Sequence, residues 1–479
     1  MGGIISFVVW LFSDPVPWRG QPHLYLHATG TLAVRKQSDG STLNEKPGDS
    51  GGAKQETEFL SMREFCARTC SSFVEKHQPP WWLPNGHFQT IWCALGDFTT
   101  VDHVPYTRTL IRVPDGGTLG LDWTEPGDDT LSPDTPIVVV LHGLTGGSYE
   151  AYVRSILSRA CASKSQGGLG YRGVVMNSRG CAGVKLTSPQ MFSGGYTGDI
   201  KCTLLYLSSL YPNAPLLGVG FSLGAGVLTR YVGEEGENCR LTSACVLACP
   251  WDNVKNSDKL ENRWINKAIY SKGLGGTLLD LFNRNAAELS SFPEPSAITP
   301  ELPILLSLRN PDFKTVNAHL TSIVGGSFPP FPFPTVEAYY EWASADKWIP
   351  GIRIPFLAMN ALDDPIVAEV PIQALGKNPW VATLLTKTGG HLGWFQGGGF
   401  LGRGGPPGKW FSQPVLEWLN ATAEDFVNTR ANGHRGKGRY EENGFVMEED
   451  GRGIIGYKEI ETGGHVEPIV PSGSAWAGL

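Results

Sequence analysis

Three things are missing from this 479-residue sequence: a membrane-length apolar run, a basic cluster, and metal-like cysteine spacing. The apolar stretch Ile4 to Phe12 is far shorter than the ~20 residues that span a bilayer, and no basic residue precedes it to form a signal-peptide n-region. A spanning anchor is therefore not expected. Charged residues make up only 18% of the chain and the net charge is −7, with no run of lysine or arginine, so nucleic acid is not an expected partner. The nine cysteines are odd in number and scattered, and no histidine cluster joins them. No metal or other cofactor is expected, and a reducing interior suits them better than a secreted disulfide framework. Cys66 and Cys70 fall one helical turn apart, and Cys245 and Cys249 are read on one side of a strand, both pairs as small buried apolar groups. No repeat of fixed period is present.

What is present is one pentapeptide in an informative place. Gly220-Phe221-Ser222-Leu223-Gly224 follows the apolar run Pro215 to Val219 and opens the amphipathic run Ala225 to Val232. Strand, sharp turn and helix in that order put a serine hydroxyl at the carboxyl end of a sheet, and the flanking glycines let neighbouring backbone approach without a Cβ clash. With 60 glycines in the chain the pattern alone is weak evidence. Its partners carry the argument. A serine nucleophile needs a base for its proton and an acid to orient that base.

Both arrive downstream in the order Ser, Asp, His. The run Ile354 to Asn360 reads as a buried strand and ends in Ala361-Leu362-Asp363-Asp364-Pro365; Trp380 to Leu385 leads into Lys387-Thr388-Gly389-Gly390-His391-Leu392-Gly393. Each candidate follows a strand, at the rim where sites form in open α/β sheets. Asp364 is preferred over Asp363 because the proline after it fixes the turn, and Asp363 remains the alternative. The most strand-like run, Pro136 to Leu141, breaks at His142-Gly143-Leu144-Thr145-Gly146-Gly147. The backbone N–H of Leu144, with that of Leu223, would face an alkoxide developing on the substrate; such donors are worth about 3 kcal/mol each. His142 reads as a structural turn residue rather than a second base, and Arg179 as an anchor for the site loop.

Strands and helices alternate through the middle of the chain: Thr107 to Val113, Leu119 to Trp123, Ile137 to Leu141, a helix from Ser148 to Ala162, Gly173 to Met176, a helix from Asp199 to Leu210, Leu216 to Gly220, and Ala244 to Cys249. The expected fold class is α/β, a mostly parallel sheet with helices on both faces. The expected organisation is a lead-in with a flexible loop (1–58), a core in two parts (59–250 and 351–430), an inserted helical cap (251–350) and an extended tail (431–479). Helical periodicity is read over Glu58 to Val74, Trp264 to Asn283, Val336 to Ala345 and Pro414 to Thr429. The run Phe328 to Pro334 is too rich in proline for a helix or a central strand.

Several stretches taken together resemble the α/β-hydrolases grouped with bacterial YheT. They are Pro79-Pro80-Trp81-Trp82-Leu83-Pro84-Asn85-Gly86-His87-Phe88-Gln89-Thr90-Ile91-Trp92, the His142 to Gly147 loop, Asn177-Ser178-Arg179-Gly180, the Ser222 turn, Asn360 to Pro365, and Gly389 to Gly393. That group includes fungal medium-chain fatty acid ethyl ester synthase/esterases and animal phospholipases and acylglycerol lipases. The resemblance spans roughly residues 59 to 430. It implies an α/β-hydrolase fold and a Ser222, Asp364, His391 triad acting on esters of fatty or other apolar acids, with transfer to an alcohol as well as to water. The stretches Ser38 to Lys54 and Phe313 to Pro334 depart from the group's pattern.

The expected function is that of a serine esterase or acyltransferase passing through an acyl-enzyme on Ser222. Its expected partners are an acyl ester and an alcohol acceptor. A thioester hydrolase and a non-catalytic binding module are the alternatives; a thioester site should show a basic, phosphate-reading patch at its mouth. The expected location is cytoplasmic. Peripheral membrane contact through the apolar stretch before Trp18, or through myristoylation of Met1-Gly2-Gly3-Ile4-Ile5-Ser6, is left open.

Overall fold

The computed structural model describes residues 21–36, 56–124, 131–293, 296–403, 405–427, 438–449, 454–466 and 476–479. The apolar stretch Ile4 to Phe12, the myristoylation pattern and the Ser38 to Lys54 loop lie outside them. Among the described residues, sixteen strands follow in chain order: β1 (His23–Leu26), β2 (Thr31–Arg35), β3 (Thr57–Ser61), β4 (Tyr106–Arg112), β5 (Thr118–Thr124), β6 (Ile137–Leu141), β7 (Arg172–Asn177), β8 (Leu216–Phe221), β9 (Ser243–Leu247), β10 (Phe356–Ala361), β11 (Val381–Thr386), β12 (Phe395–Gln396), β13 (Gly408–Lys409), β14 (Arg439–Glu442), β15 (Phe445–Glu448) and β16 (Gly456–His465).

Twelve of them form one sheet in the order β1-β11-β10-β9-β8-β6-β7-β5-β4-β16-β15-β14. The pairs from β7 through β6, β8, β9 and β10 to β11 are parallel, and the pairs outside that centre are antiparallel. Alternation along β6 explains why the centre is buried on both faces. Val138 and Val140 enter one apolar core with the helices Ala151–Ala160 and Ser412–Glu424, while Ile137, Val139 and Leu141 enter the other with Gly198–Leu210 and Leu223–Glu235. The expected α/β fold is thus present, as a large mixed sheet whose central strands are parallel and covered on both faces.

Between β9 and β10 the chain is chiefly helical, including Asn253–Asn262, the long helix Lys272–Ser291 and Val336–Ala343. The Phe328 to Pro334 run forms neither helix nor strand.

Four local readings are corrected. The helix read from Glu58 begins only at Met62, because Ser61 and Glu64 close a capping box there, and Glu58 to Ser61 belong to β3. The helix read from Ser148 begins at Ala151. Cys245 and Cys249 are both buried but lie in different cores, since Ala248 at φ 51° turns the chain after β9. The described parts of 431–479 are not a tail. β14 and β15 form a hairpin about Asn443 and Gly444, both at positive φ (52° and 78°), and β16 pairs with β4, so this segment carries the sheet three strands further.

Candidate active site

The end of β8 delivers Ser222 at φ 49° and ψ −116°, a backbone geometry that costs a residue with a Cβ roughly 1–3 kcal/mol. The surroundings hold it there. Its N–H donates to the Leu247 carbonyl at 3.0 Å, and its carbonyl accepts from the N–H groups of Ala225 (2.9 Å) and Gly226 (3.2 Å) at the start of the following helix. Both flanking glycines are needed: a Cβ at Gly224 would stand 2.5 Å from the carbonyl oxygens of Leu141 and His142, and one at Gly220 would stand 2.8 Å from Ala225 Cα. The turn therefore aims the hydroxyl away from the sheet without letting the helix drift from β6.

His391 follows β11 and meets that hydroxyl. Its Nε2 lies 2.7 Å from Ser222 Oγ and its Nδ1 lies 2.8 Å from Asp364 Oδ2. All three residues are buried. The other carboxylate oxygen of Asp364 accepts the N–H groups of Ile366 (2.7 Å) and Val367 (3.0 Å). Burial works against the charge on Asp364, but the His391 ring, Lys259 and the Val367 N–H hold its pKa below the ordinary carboxylate value. An ionised Asp364 can only accept, so Nδ1 carries the proton and Nε2 is left to accept from Ser222. The structure thus brings Ser222, His391 and Asp364 together. Asp363 instead accepts the Gly390 N–H at 2.9 Å.

The His391 loop is braced by the helix Gly86–Leu95, which Asn85 caps by accepting the Phe88 N–H at 3.2 Å. Thr90 Oγ1 accepts the His391 N–H at 2.8 Å and donates to the Gly86 carbonyl at 2.7 Å, and Gln89 accepts the Phe395 N–H at 3.0 Å. Sequence reasoning missed these supports, having no signal for them beyond letters in a family motif. A Cβ at Gly86 would come within 2.1 Å of the Asp363 carbonyl oxygen, so helix, acid turn and histidine loop close on one another.

Leu144 and Leu223 both line a cleft with Ser222. Among the described residues, neither backbone N–H donates to a protein acceptor. His142 Nδ1 donates to the Gly143 carbonyl at 2.7 Å and its Nε2 accepts the Ser178 N–H at 3.1 Å, while burial lowers its pKa to about 4. A neutral ring used at both nitrogens has no capacity left for a second base. Arg179 binds Asp199 through two nitrogens and reaches Asp115 and Ser188 with a third. Burial opposes its charge, but the two carboxylates raise its pKa above the ordinary value. It anchors the loop, as the sequence suggests.

The cleft holds a cavity of about 90 Å³ and opens to solvent. Its walls are largely apolar, with Phe192, Leu274, Leu278, Phe313 and Ile366 among them, and asparagine, serine, threonine and tyrosine supply the polar part. No lysine, arginine, aspartate, glutamate or histidine is among the residues that line it. Among the described residues, no group of histidine, cysteine or acidic side chains is arranged to hold a metal ion, and no helix is long and apolar enough to cross a membrane.

Comparison with known proteins agrees with this architecture. A family profile for the alpha/beta hydrolase fold matches residues 136–294. The chain is 31% identical to a monoacylglycerol lipase of Saccharomyces cerevisiae over 70% of its own length and 78% of the relative's. It is 29% identical to medium-chain fatty acid ethyl ester synthase/esterase 2 of the same yeast, over 66% and 80%. It is 28% identical to phospholipase ABHD3 of Homo sapiens, over 74% and 81%.

Proposed function

The chain belongs to the α/β-hydrolase family, and from that premise we propose that it cleaves carboxylic esters of apolar acyl groups through an acyl-enzyme on Ser222. The observation that carries the reading is the unbroken contact from Asp364 through His391 to Ser222 at the wall of an apolar cleft. His391 Nε2 takes the hydroxyl proton as Ser222 Oγ attacks the ester carbonyl. The N–H groups of Leu144 and Leu223 receive the negative charge that develops on the carbonyl oxygen, and Asp364 keeps the ring in the productive tautomer and stabilises it once protonated. His391 then returns the proton to the leaving alkoxide. Water in the same place, deprotonated by His391, releases the acid; an alcohol there gives a new ester by the same steps.

The helices between β9 and β10 act as a cap that buries the acyl chain, at about 0.8 kcal/mol per methylene. The names of the relatives support a lipid ester as substrate. The lining holds no cationic side chain to pair with phosphate, which favours a neutral alcohol portion over the phosphate-bearing carrier of an acyl thioester.

The test combines two measurements. Ser222→Ala should keep the fold and lose turnover of p-nitrophenyl esters, and a fluorophosphonate should label wild type alone, on Ser222. Equal labelling of both proteins would remove the assignment. A panel of graded acyl esters with water, ethanol or glycerol as acceptor then separates hydrolysis from transfer.

A further inference from the structure

The segment Trp476–Leu479 plays no part in the chemistry above, yet it lies against the loop that presents Leu144. Gly478 N–H donates to the Leu144 carbonyl at 2.8 Å, and the Gly478 carbonyl accepts from the Tyr152 hydroxyl at 2.6 Å. The same hydroxyl accepts the Gly143 N–H at 3.0 Å. These bonds secure the peptide before Gly143 and the peptide after Leu144. The peptide between them carries the Leu144 N–H, so its orientation is set from both sides.

The approach is too close for side chains. A Cβ on Gly143 would stand 2.1 Å from the Gly478 oxygen, and one on Gly478, at φ 86°, would stand 2.3 Å from the Glu150 carboxyl carbon. Gly146 is close as well, its Cβ position 3.0 Å from Gly478 Cα. Next to this clamp the Leu479 side chain is buried and lines the cleft beside Ser222, Leu223 and Leu278. Trp476 fixes the other end of the segment by packing edge-on against Tyr270, with ring centroids 5.6 Å apart, and over Gly273.

We propose that Trp476–Leu479 is a working part of the cleft, in which Gly478 positions the Leu144 oxyanion donor and Leu479 is a wall that determines which acyl esters fit. Gly478 is a positioning residue, acting through the loop it holds; Leu479 is a specificity residue. The proposal rests on Ser222 being the nucleophile. It differs from a plug that shields the serine, because a plug would cover Ser222 without having to order the donor peptide.

Two variants test it in the full chain. Gly478→Ala pushes the clamp off Glu150, and its expected signature is a kcat lowered about 10- to 100-fold with KM changed by less than about threefold, as for loss of a preorganised donor. The rate of fluorophosphonate labelling should fall with kcat. Leu479→Ala opens the wall, so the preference for long over short acyl esters should rise at least about fivefold, while Leu479→Met, of similar volume, keeps the wild-type profile. If Gly478→Ala does not fold, the Leu479 pair carries the test alone. Faster labelling, or faster turnover of the shortest ester, in either variant would make the segment a shield and overturn the proposal, as would an unchanged chain-length profile in Leu479→Ala. Absence of label on Ser222 in wild type would instead defeat the nucleophile assignment, so the two failures are distinguishable.

Discussion

Asp363 and Asp364 are adjacent at the end of β10, yet they hold different atoms of one loop. Asp364 takes the His391 ring nitrogen at 2.8 Å, and Asp363 takes the Gly390 backbone N–H at 2.9 Å. Only the first contact governs where the imidazole proton sits. Asp364→Asn keeps an oxygen for the Ile366 and Val367 N–H groups but offers the ring a donor in place of an acceptor, so kcat should fall about 10⁴-fold. Asp363→Asn can still accept from Gly390, and its kcat should stay within about tenfold of wild type, with a stability loss of about 1 kcal/mol. Steady-state rates on a short p-nitrophenyl ester decide between them. Equal losses would mean that the pair acts jointly.

The Thr90 hydroxyl tests whether the brace under the histidine loop matters to rate. Thr90→Val keeps the shape of the side chain and removes the acceptor of the His391 N–H, leaving a buried donor unpaired at a cost of about 1–3 kcal/mol. Activity should fall about tenfold or more as the imidazole loses its fixed distance to Ser222, and Thr90→Ser should restore it. Thermal unfolding alongside kcat separates the two effects. A stable Thr90→Val protein with wild-type kcat would leave the brace a purely structural role.

His142 makes the protein sensitive to acid. Burial lowers its folded pKa to about 4 from the ordinary 6.5, and its Nε2 already accepts the Ser178 N–H. Below pH 6.5 the unfolded chain binds a proton that the folded chain refuses until about pH 4. The stability His142 contributes is therefore complete above pH 6.5 and is lost as the pH falls, at about 1.4 kcal/mol per pH unit, or roughly 3 kcal/mol across the window. Urea unfolding at a series of pH values should show wild type losing stability faster than His142→Gln by about one proton's slope. Parallel curves would show that the ring takes up its proton alike in the folded and the unfolded chain.

How much of this was legible in the sequence depended on whether the signal was local. The Ser222 turn could be read because strand, glycines and helix are contiguous, and His391 because it sits between glycines just after an apolar run. The choice between Asp363 and Asp364 needed a contact across the sheet, with only the proline to guide it. Thr90 was invisible, since a threonine inside a helix gives no sign that its hydroxyl reaches a loop 301 residues away. The β14–β15 hairpin was a different kind of miss. Asn443-Gly444 is a strong turn signal, but β14 (Arg439–Glu442) is exposed and mostly charged and β15 (Phe445–Glu448) is only four residues long, too little for the apolar periodicity on which the tail reading relied. Leu479 lies in the cleft through packing between distant segments, which no pattern along the chain encodes.

Acyl-chain preference should be set by the helix Lys272–Ser291, which lends the cleft Leu274 and Leu278, one turn apart and both buried. Their spacing puts them on one face, so a larger side chain at the second shortens the space without touching Ser222 or its hydrogen bonds. Each methylene that no longer enters the cleft forfeits about 0.8 kcal/mol, close to a fourfold loss in kcat/KM. Leu278→Trp should therefore lower the ratio of decanoyl to butanoyl ester turnover at least about tenfold, while butanoyl turnover stays within about threefold of wild type. kcat/KM measured across a series of p-nitrophenyl esters reads this directly. A profile that keeps its shape in the variant would show that the acyl chain runs along another wall and that the long helix faces the alcohol instead.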